Sequence, residues 1–242
     1  MNLPQVATPD EWLAARKDLL AQEKEASRTK DALDAARRAL PMVEIVKKYV
    51  FTGPEGQAGL LDLFEGRRQL IVYHFMWRHE QSGFPGQDQG CPTCSVVADN
   101  IGHLSHLHAC DTTLVLVSRA PSASIKRFRS RMGWAVPWYS SLGSDFNYDF
   151  HISFDENIAP VEYNYTSKAE LEKKMPFIRS GRDAHGVSVF LRDGDRVFHT
   201  YSAYARGVDP LIGTYAYLDL TPLGRQKFVV EFPYHDSYDA GS

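Results

Sequence analysis

Two of the chain's three cysteines stand in one tetrapeptide, Cys91-Pro92-Thr93-Cys94. Thiols this close together can cycle between dithiol and disulfide, or can supply half of a tetrahedral zinc site. The tetrapeptide follows the apolar run Leu70-Ile71-Val72-Tyr73-His74-Phe75-Met76-Trp77 and a glycine-rich loop, and it leads into a helix-compatible segment. A buried strand, a loop and paired cysteines at a helix start predict a redox-active dithiol. The unpaired amides and dipole of a helix N-terminus favour an anion, so the Cys91 thiolate is expected below the pKa of about 8.5 of a free cysteine. Cys94 lies three residues on, about one turn, where its sulfur can attack a mixed disulfide formed at Cys91. Pro92 suits the first turn because the amide it lacks would have been unpaired there. Cys91 is therefore read as the nucleophile and Cys94 as the resolving thiol.

These residues need a scaffold, and the flanking sequence predicts one. Residues 95–108 are helix-compatible, and Thr112-Thr113-Leu114-Val115-Leu116-Val117-Ser118 is a continuous apolar run of the kind found in parallel sheets, which gives a β-α-β unit. A helix over 122–132 is stopped by Gly133, and Trp134-Ala135-Val136-Pro137-Trp138-Tyr139 reads as a strand whose proline marks an edge or an end. Residues 187–192 and 196–201 flank Asp193-Gly194-Asp195 as a hairpin, with a helix expected after Val208. Residues 142–183 are rich in aromatic and turn residues and carry no clear period. Ahead of all this, Thr8-Pro9-Asp10-Glu11 is a helix start with cap, N1 proline and N3 glutamate. Residues 12–40 follow as helix, with a soft point at Ser27-Arg28-Thr29 where a second helix is expected to begin, and Pro41 closes the region. This helical extension is either an arm lying on the domain or on a second subunit, or a packed helix of the same domain.

A β-α-β half followed by a hairpin and a final helix is the element order of the thioredoxin fold. Gln69-Leu70-Ile71-Val72-Tyr73-His74-Phe75-Met76, Val117-Ser118-Arg119-Ala120-Pro121, Arg131-Met132-Gly133-Trp134, Gly143-Ser144-Asp145-Phe146-Asn147-Tyr148-Asp149-Phe150 and residues 197–207 carry the closer likeness. With these phrases the chain resembles a bacterial thioredoxin-like family of unknown function, domain of unknown function 899. The resemblance implies an α/β thioredoxin-like fold, with a central mixed β-sheet flanked by helices, and a dithiol-disulfide oxidoreductase activity. Two departures from better-known relatives stand out. Thioredoxins place a proline opposite the dithiol, just before the hairpin, whereas Asp183-Ala184-His185-Gly186-Val187-Ser188 has none, leaving His185 and Ser188 as candidates to face the sulfurs. Peroxiredoxins place Thr or Ser three residues before their reactive cysteine, where this chain has Asp88.

The rival chemistry is zinc, with His103, His106, His108 and Cys110 behind the dithiol. If residues 95–108 form one helix, His103 stands roughly 13 Å beyond Cys94, too far to share an ion, so those histidines are read as a polar face and Cys110 as a small buried filler. Trp77, Arg78, His79 and Phe84 in the preceding loop either line a substrate pocket or pack the loop down. His235-Asp236 reads as terminal surface. The 242 residues include 43% hydrophobic, enough for a core without disulfides, and 27 basic against 30 acidic side chains are mixed along the chain with no nucleic-acid or membrane footprint. No signal-like N-terminus or bilayer-length apolar run is present, so a cytoplasmic location is expected. The expected organisation is a helical arm at 1–41, a thioredoxin-like domain at 42–235 and a flexible tail at 236–242. The expected partner is a thiol or disulfide substrate, with no organic cofactor, no metal and a possible homo-oligomer through the arm. The alternative is a non-catalytic binding module on the same fold.

Overall fold

The apolar run that precedes the cysteines becomes an inner strand of an eight-stranded sheet, paired on both edges. In the computed structural model, which describes residues 4–80, 84, 86–174 and 182–241, the chain begins with helix α1 (Pro9–Arg38) and short strands β1 (Val43–Glu44), β2 (Val50–Gly53) and β3 (Gly56–Gly59). Next come β4 (Gln69–His74), β5 (Trp77–His79), β6 (Asp88–Gly90), α2 (Pro92–Asp99) and α3 (Ser105–His108). They are followed by β7 (Thr112–Ser118), α4 (Ser122–Arg131), β8 (Trp138–Ser140) and α5 (Phe146–Asp149). The last part holds β9 (Glu162–Tyr163), β10 (Thr166–Ser167), α6 (Lys168–Lys174), β11 (Gly186–Asp193), β12 (Arg196–Tyr204) and α7 (Gly213–Leu218).

The sheet order is β1-β12-β11-β4-β7-β8-β2-β3. β4 runs parallel to β7 from Gln69↔Thr112 to His74↔Val117, and antiparallel to β11 from Gly186↔His74 to Leu191↔Gln69. β11 and β12 form the hairpin read from the sequence, with Gly194 in the left-handed conformation at its turn. The order β12-β11-β4-β7, with a helix between the parallel strands and a helix after the hairpin, is the thioredoxin fold, here widened on both edges.

Alternation along β4 separates two cores. Leu70 and Val72 face a cluster with Phe146, Phe150, Phe154 and Phe190, whereas Tyr73 and Phe75 beyond it face Cys94, Val97, Phe128 and Trp138. The dithiol therefore rests on the second core, beneath α2. Between β4 and β11 the first core also buries a polar chain. The His74 ring nitrogen Nε2 bonds Ser188 Oγ at 2.9 Å, Ser188 bonds Ser202 at 2.9 Å, and His199 bonds Ser202 at 2.8 Å.

Several elements differ from the sequence reading. α1 is one unbroken 30-residue helix: Ser27 and Thr29 donate to the carbonyls of Glu23 and Glu25, and Arg28 pairs with Glu25, so the soft point holds helix. None of its residues is buried, and Trp12 is 61% exposed. Its capping box at Thr8 and Glu11 forms as expected. α2 stops at Asp99, because the Asn100 side chain turns back to the Val96 carbonyl and accepts from Thr214. β8 starts only after Pro137, whose missing amide cannot extend the ladder although its carbonyl accepts from Leu116. No helix among the described residues is long and apolar enough to cross a membrane.

His74 is fully buried, and burial, then the nearby His199, holds its pKa down at about 3. The unfolded chain takes up that proton near pH 6.5 while the fold refuses it, so stability must fall as pH drops from 6.5 towards 3. One such group contributes about 1.4 kcal/mol per pH unit in that window. Denaturant titrations of His74→Gln across pH 6.5 to 4 should show a slope shallower by about one proton than the wild type.

Candidate active site at the dithiol

Cys91 occupies the N-cap position of α2, with extended backbone angles (φ −68°, ψ 130°), and Pro92 takes the first turn. The position is fixed from both sides. Its amide donates to the Met76 carbonyl at 3.0 Å, and its carbonyl accepts from the Ser95 amide at 2.9 Å and the Ser95 hydroxyl at 3.0 Å. β6 delivers the chain to this point by pairing with β5, Trp77 opposite Gly90 and His79 opposite Asp88. Gly90 is required there, since a Cβ would stand 2.6 Å from Phe128 and 2.9 Å from Phe75.

The two sulfurs sit in unequal surroundings. Cys91 is 5% exposed and Cys94 has no exposed surface. Both are free thiols. The Cys91 thiol is pulled from the ordinary 9.0 to about 6: the Cys94 thiol donates to it, the amides of Cys94 and Thr93 point at it, and the Arg78 guanidinium attracts it, together outweighing burial. Arg78 Nη2 lies 4.0 Å from Cys91 Sγ. Burial, then the charge of Cys91, pushes Cys94 well above its usual value, and the Met76 amide donates to its sulfur at 3.4 Å. The Tyr73 hydroxyl faces Cys94 without a well-formed hydrogen bond, and burial pushes it well up as well.

Cys91 opens into a cavity of about 410 Å³ bounded by Met76, Arg78, Phe84, Phe154, Tyr163, Arg182, Asp183 and His185. The loop residues of the sequence reading divide. Arg78 and Phe84 line this cavity, and Trp77 contributes to its wall while being almost wholly buried and bonding Asp88 at 2.9 Å. Asp88 also accepts from Ser124 at 2.7 Å and pairs with Arg127 at 3.2 Å, so it ties the motif loop to α4. His185 faces the cavity in the place where thioredoxins carry proline, and burial lowers its pKa. Ser188 does not face the sulfurs; it points to the other side of the sheet, into the His74 chain.

The residues of the zinc reading are not brought to the dithiol. The helix does break before Gly102, yet His103 and His106 stay together in the following turn, ring centroids 6.2 Å apart. Among the described residues no three His, Cys, Asp or Glu side chains converge on a metal-sized site. Cys110 is exposed rather than a buried filler. It precedes β7 at the end of the sheet away from the motif, six strand residues or about 20 Å off. His235 and Asp236 are fastened: His235 lies 2.7 Å from Asp99, and Asp236 makes a two-pronged pair with Arg131 at 2.7 and 2.9 Å. Tyr234 beside them donates to the Gly90 carbonyl at 2.6 Å, which brings the C-terminal segment against the motif loop. Tyr163, Phe154 and Arg182 were missed because they come from the stretch without periodicity, where only tertiary contacts assign a role.

With the site in view, the chain can be set beside known proteins. The model of a family described as bacterial protein of unknown function, DUF899, matches residues 1–238. The chain belongs to this family. No curated protein matches it by sequence. Among solved structures it is similar to a mutant of Xylella fastidiosa PrxQ, at 12% identity and a TM-score of 0.42 over 70% of this chain and 89% of that one. It is similar to the Xanthomonas campestris bacterioferritin comigratory protein, described with alkyl peroxide reduction activity, at 13% and 0.41 over 73% and 96%. Mycobacterium tuberculosis peroxidoxin BcpB is similar at 12% and 0.37 over 72% and 96%.

The depressed Cys91 pKa ties stability to pH in this family member. Between about 6 and 9 the folded chain holds a thiolate where the unfolded chain holds a thiol, so the unfolded state binds more protons and stability rises with pH. The reduced protein should gain melting temperature relative to Cys91→Ser as pH is raised from 6 to 8.5, and lose that advantage below 6. Equal pH profiles by calorimetry under reducing conditions would show that Cys91 is an ordinary thiol.

Proposed function

We propose that the protein is a dithiol-disulfide oxidoreductase in which Cys91 attacks a disulfide and Cys94 resolves the mixed disulfide. The observation that carries this reading is the asymmetry of the pair. One sulfur is charged near neutral pH and opens on a cavity, and the other is sealed, protonated and one turn away. A thiolate with a pKa near ambient pH combines abundance with nucleophilicity. The buried Cys94 has no exposed surface to meet a substrate, but its thiol faces the Cys91 sulfur one helical turn away and is placed to attack it. Reduction of the resulting Cys91–Cys94 disulfide by an external dithiol would complete the cycle. Alkylation of the reduced protein by iodoacetamide should strike Cys91 first, with a midpoint near pH 6. Cys91→Ser should abolish exchange, and Cys94→Ser should accumulate mixed disulfides visible by mass spectrometry. Full exchange by the double serine variant would sink the proposal and favour the binding-module alternative.

We also propose that residues 42–235 form the catalytic unit in the cytoplasm and that residues 1–41 are an arm for a second copy of the chain. α1 supports the latter, because Trp12, Leu19 and Leu33 lie at intervals of seven and fourteen residues on a helix that buries none of them, while its last turn sets Arg37 over the Tyr201 ring at 4.9 Å. Deleting residues 1–41 should halve the mass seen by light scattering or lower it further, with little change in melting temperature. An unchanged mass would remove the arm from assembly.

A further inference from the structure

The cavity over Cys91 holds more positive charge than a dithiol needs. Arg78 and Arg182 both reach it, and both guanidinium groups lie over the Phe84 ring, at 5.0 and 5.3 Å from its centroid. Neither is in an ion pair among the described residues, and Arg78 Nε is buried with no hydrogen-bond partner. The acid on the same wall, Asp183, is 3% exposed and its charge is paired with Arg119 at 3.0 Å; Ser153 donates to the same Oδ1 at 2.6 Å, while Oδ2 is buried without a hydrogen-bond partner. The Cys91 thiolate cancels one of the two unmatched positive charges, and the cavity keeps a surplus of one. Phe84, Phe154 and Tyr163 make the remaining surface largely apolar.

The backbone beside the cavity is also partly engaged already. An extended chain beside the sulfurs needs backbone groups to pair with. The candidate carbonyl, that of His185, accepts from the Tyr163 hydroxyl at 2.8 Å, and the same hydroxyl takes up the Ala205 amide at 2.9 Å. At about 410 Å³ the space falls in the range of roughly 300–1,000 Å³ typical of small-molecule sites.

We infer that the substrate is a small organic disulfide whose arms are short, apolar and end in carboxylates, held by Arg78 and Arg182 while Cys91 attacks. The inference rests on the oxidoreductase reading above. Cys91 sulfur forms a bond to one substrate sulfur as the substrate S–S bond breaks and the first thiolate leaves. Cys94 sulfur then bonds to Cys91 as the second arm departs, and the Cys94 proton goes to one of the two released thiols. Two electrons pass from the dithiol to the substrate, and an external dithiol restores them.

The test compares 3,3′-dithiodipropionate, 2-hydroxyethyl disulfide and cystamine, which carry two negative, no and two positive charges, with dithiothreitol as reductant and the uncatalysed rate subtracted. The wild type should favour the dianion over the dication by at least about tenfold in kcat/KM, and the preference should narrow as salt is raised. Arg182→Gln should lower the dianion-to-neutral ratio several-fold. Equal rates, a preference for cystamine, or faster reduction of an oxidised unfolded protein than of any of the three would overturn the inference while leaving the oxidoreductase reading in place. If none of the disulfides is exchanged, the reading itself fails, and the inference is decided by binding of 3,3′-dithiodipropionate to the Cys91→Ser/Cys94→Ser variant in calorimetry. Saturable binding that weakens in the added Arg182→Gln change supports an anion site, and no binding overturns it.

Discussion

A sulfur that is charged near neutral pH inside a protein must find donors to replace the water it has lost, and that requirement organises this molecule around one helix start. Burying an anion without partners is prohibitive. At Cys91 the partners are two first-turn amides, a neighbouring thiol and a guanidinium, none of which is a distant or adjustable group. They converge because α2 begins at Pro92 and because the Cys91 amide is pinned to the Met76 carbonyl. Moving the start of α2 by one residue would turn the amides away and leave burial to dominate, as it does at Cys94.

The rest of the fold holds that helix start in place. β4 places Tyr73 and Phe75 under the dithiol, β5 and β6 form the short ladder that returns the chain to it, and Asp88 knots that ladder to Trp77 and Ser124. Gly90 admits Phe128 against the backbone where any side chain would collide. From the other end of the chain, Tyr234 reaches the Gly90 carbonyl and is itself covered by the Arg131 guanidinium at 4.9 Å. Thus the motif loop is clamped by segments more than a hundred residues apart, so the geometry of the dithiol is a property of the whole domain.

The surroundings of the sulfurs separate this chain from a plain thioredoxin-like site. Where a proline would offer backbone to a bound peptide, His185 has its carbonyl engaged by Tyr163, and Phe154, Tyr163 and Arg182 wall in a cavity. The buried Arg119–Asp183 pair stiffens that wall, with Tyr148 also donated to at 3.0 Å. A buried ion pair of this kind contributes little net stability but costs several kcal/mol if one partner is lost, roughly 3–5, which suits it to fixing position.

By itself the sequence determined the fold class, the strands that flank the motif, the hairpin, the capped start of α1 and the pairing of two sulfurs at a helix start. Each of these is written in local terms: a run of apolar residues long enough for a buried strand, glycine at a left-handed turn, threonine and glutamate three apart at a cap, two cysteines one helical turn apart. Only the tertiary structure decided where α2 ends, because the decisive group, Thr214, is more than a hundred residues from Asn100. It decided that Ser27 and Thr29 stay helical, that Cys110 lies at the far end of the sheet, and that Ser188 serves the His74 chain and not the sulfurs. Above all it decided the cavity, since Arg78, Phe154, Tyr163, Arg182 and His185 share no period and no motif. Their chemistry comes from charge and exclusion of water at one point in space, which a one-dimensional pattern does not record.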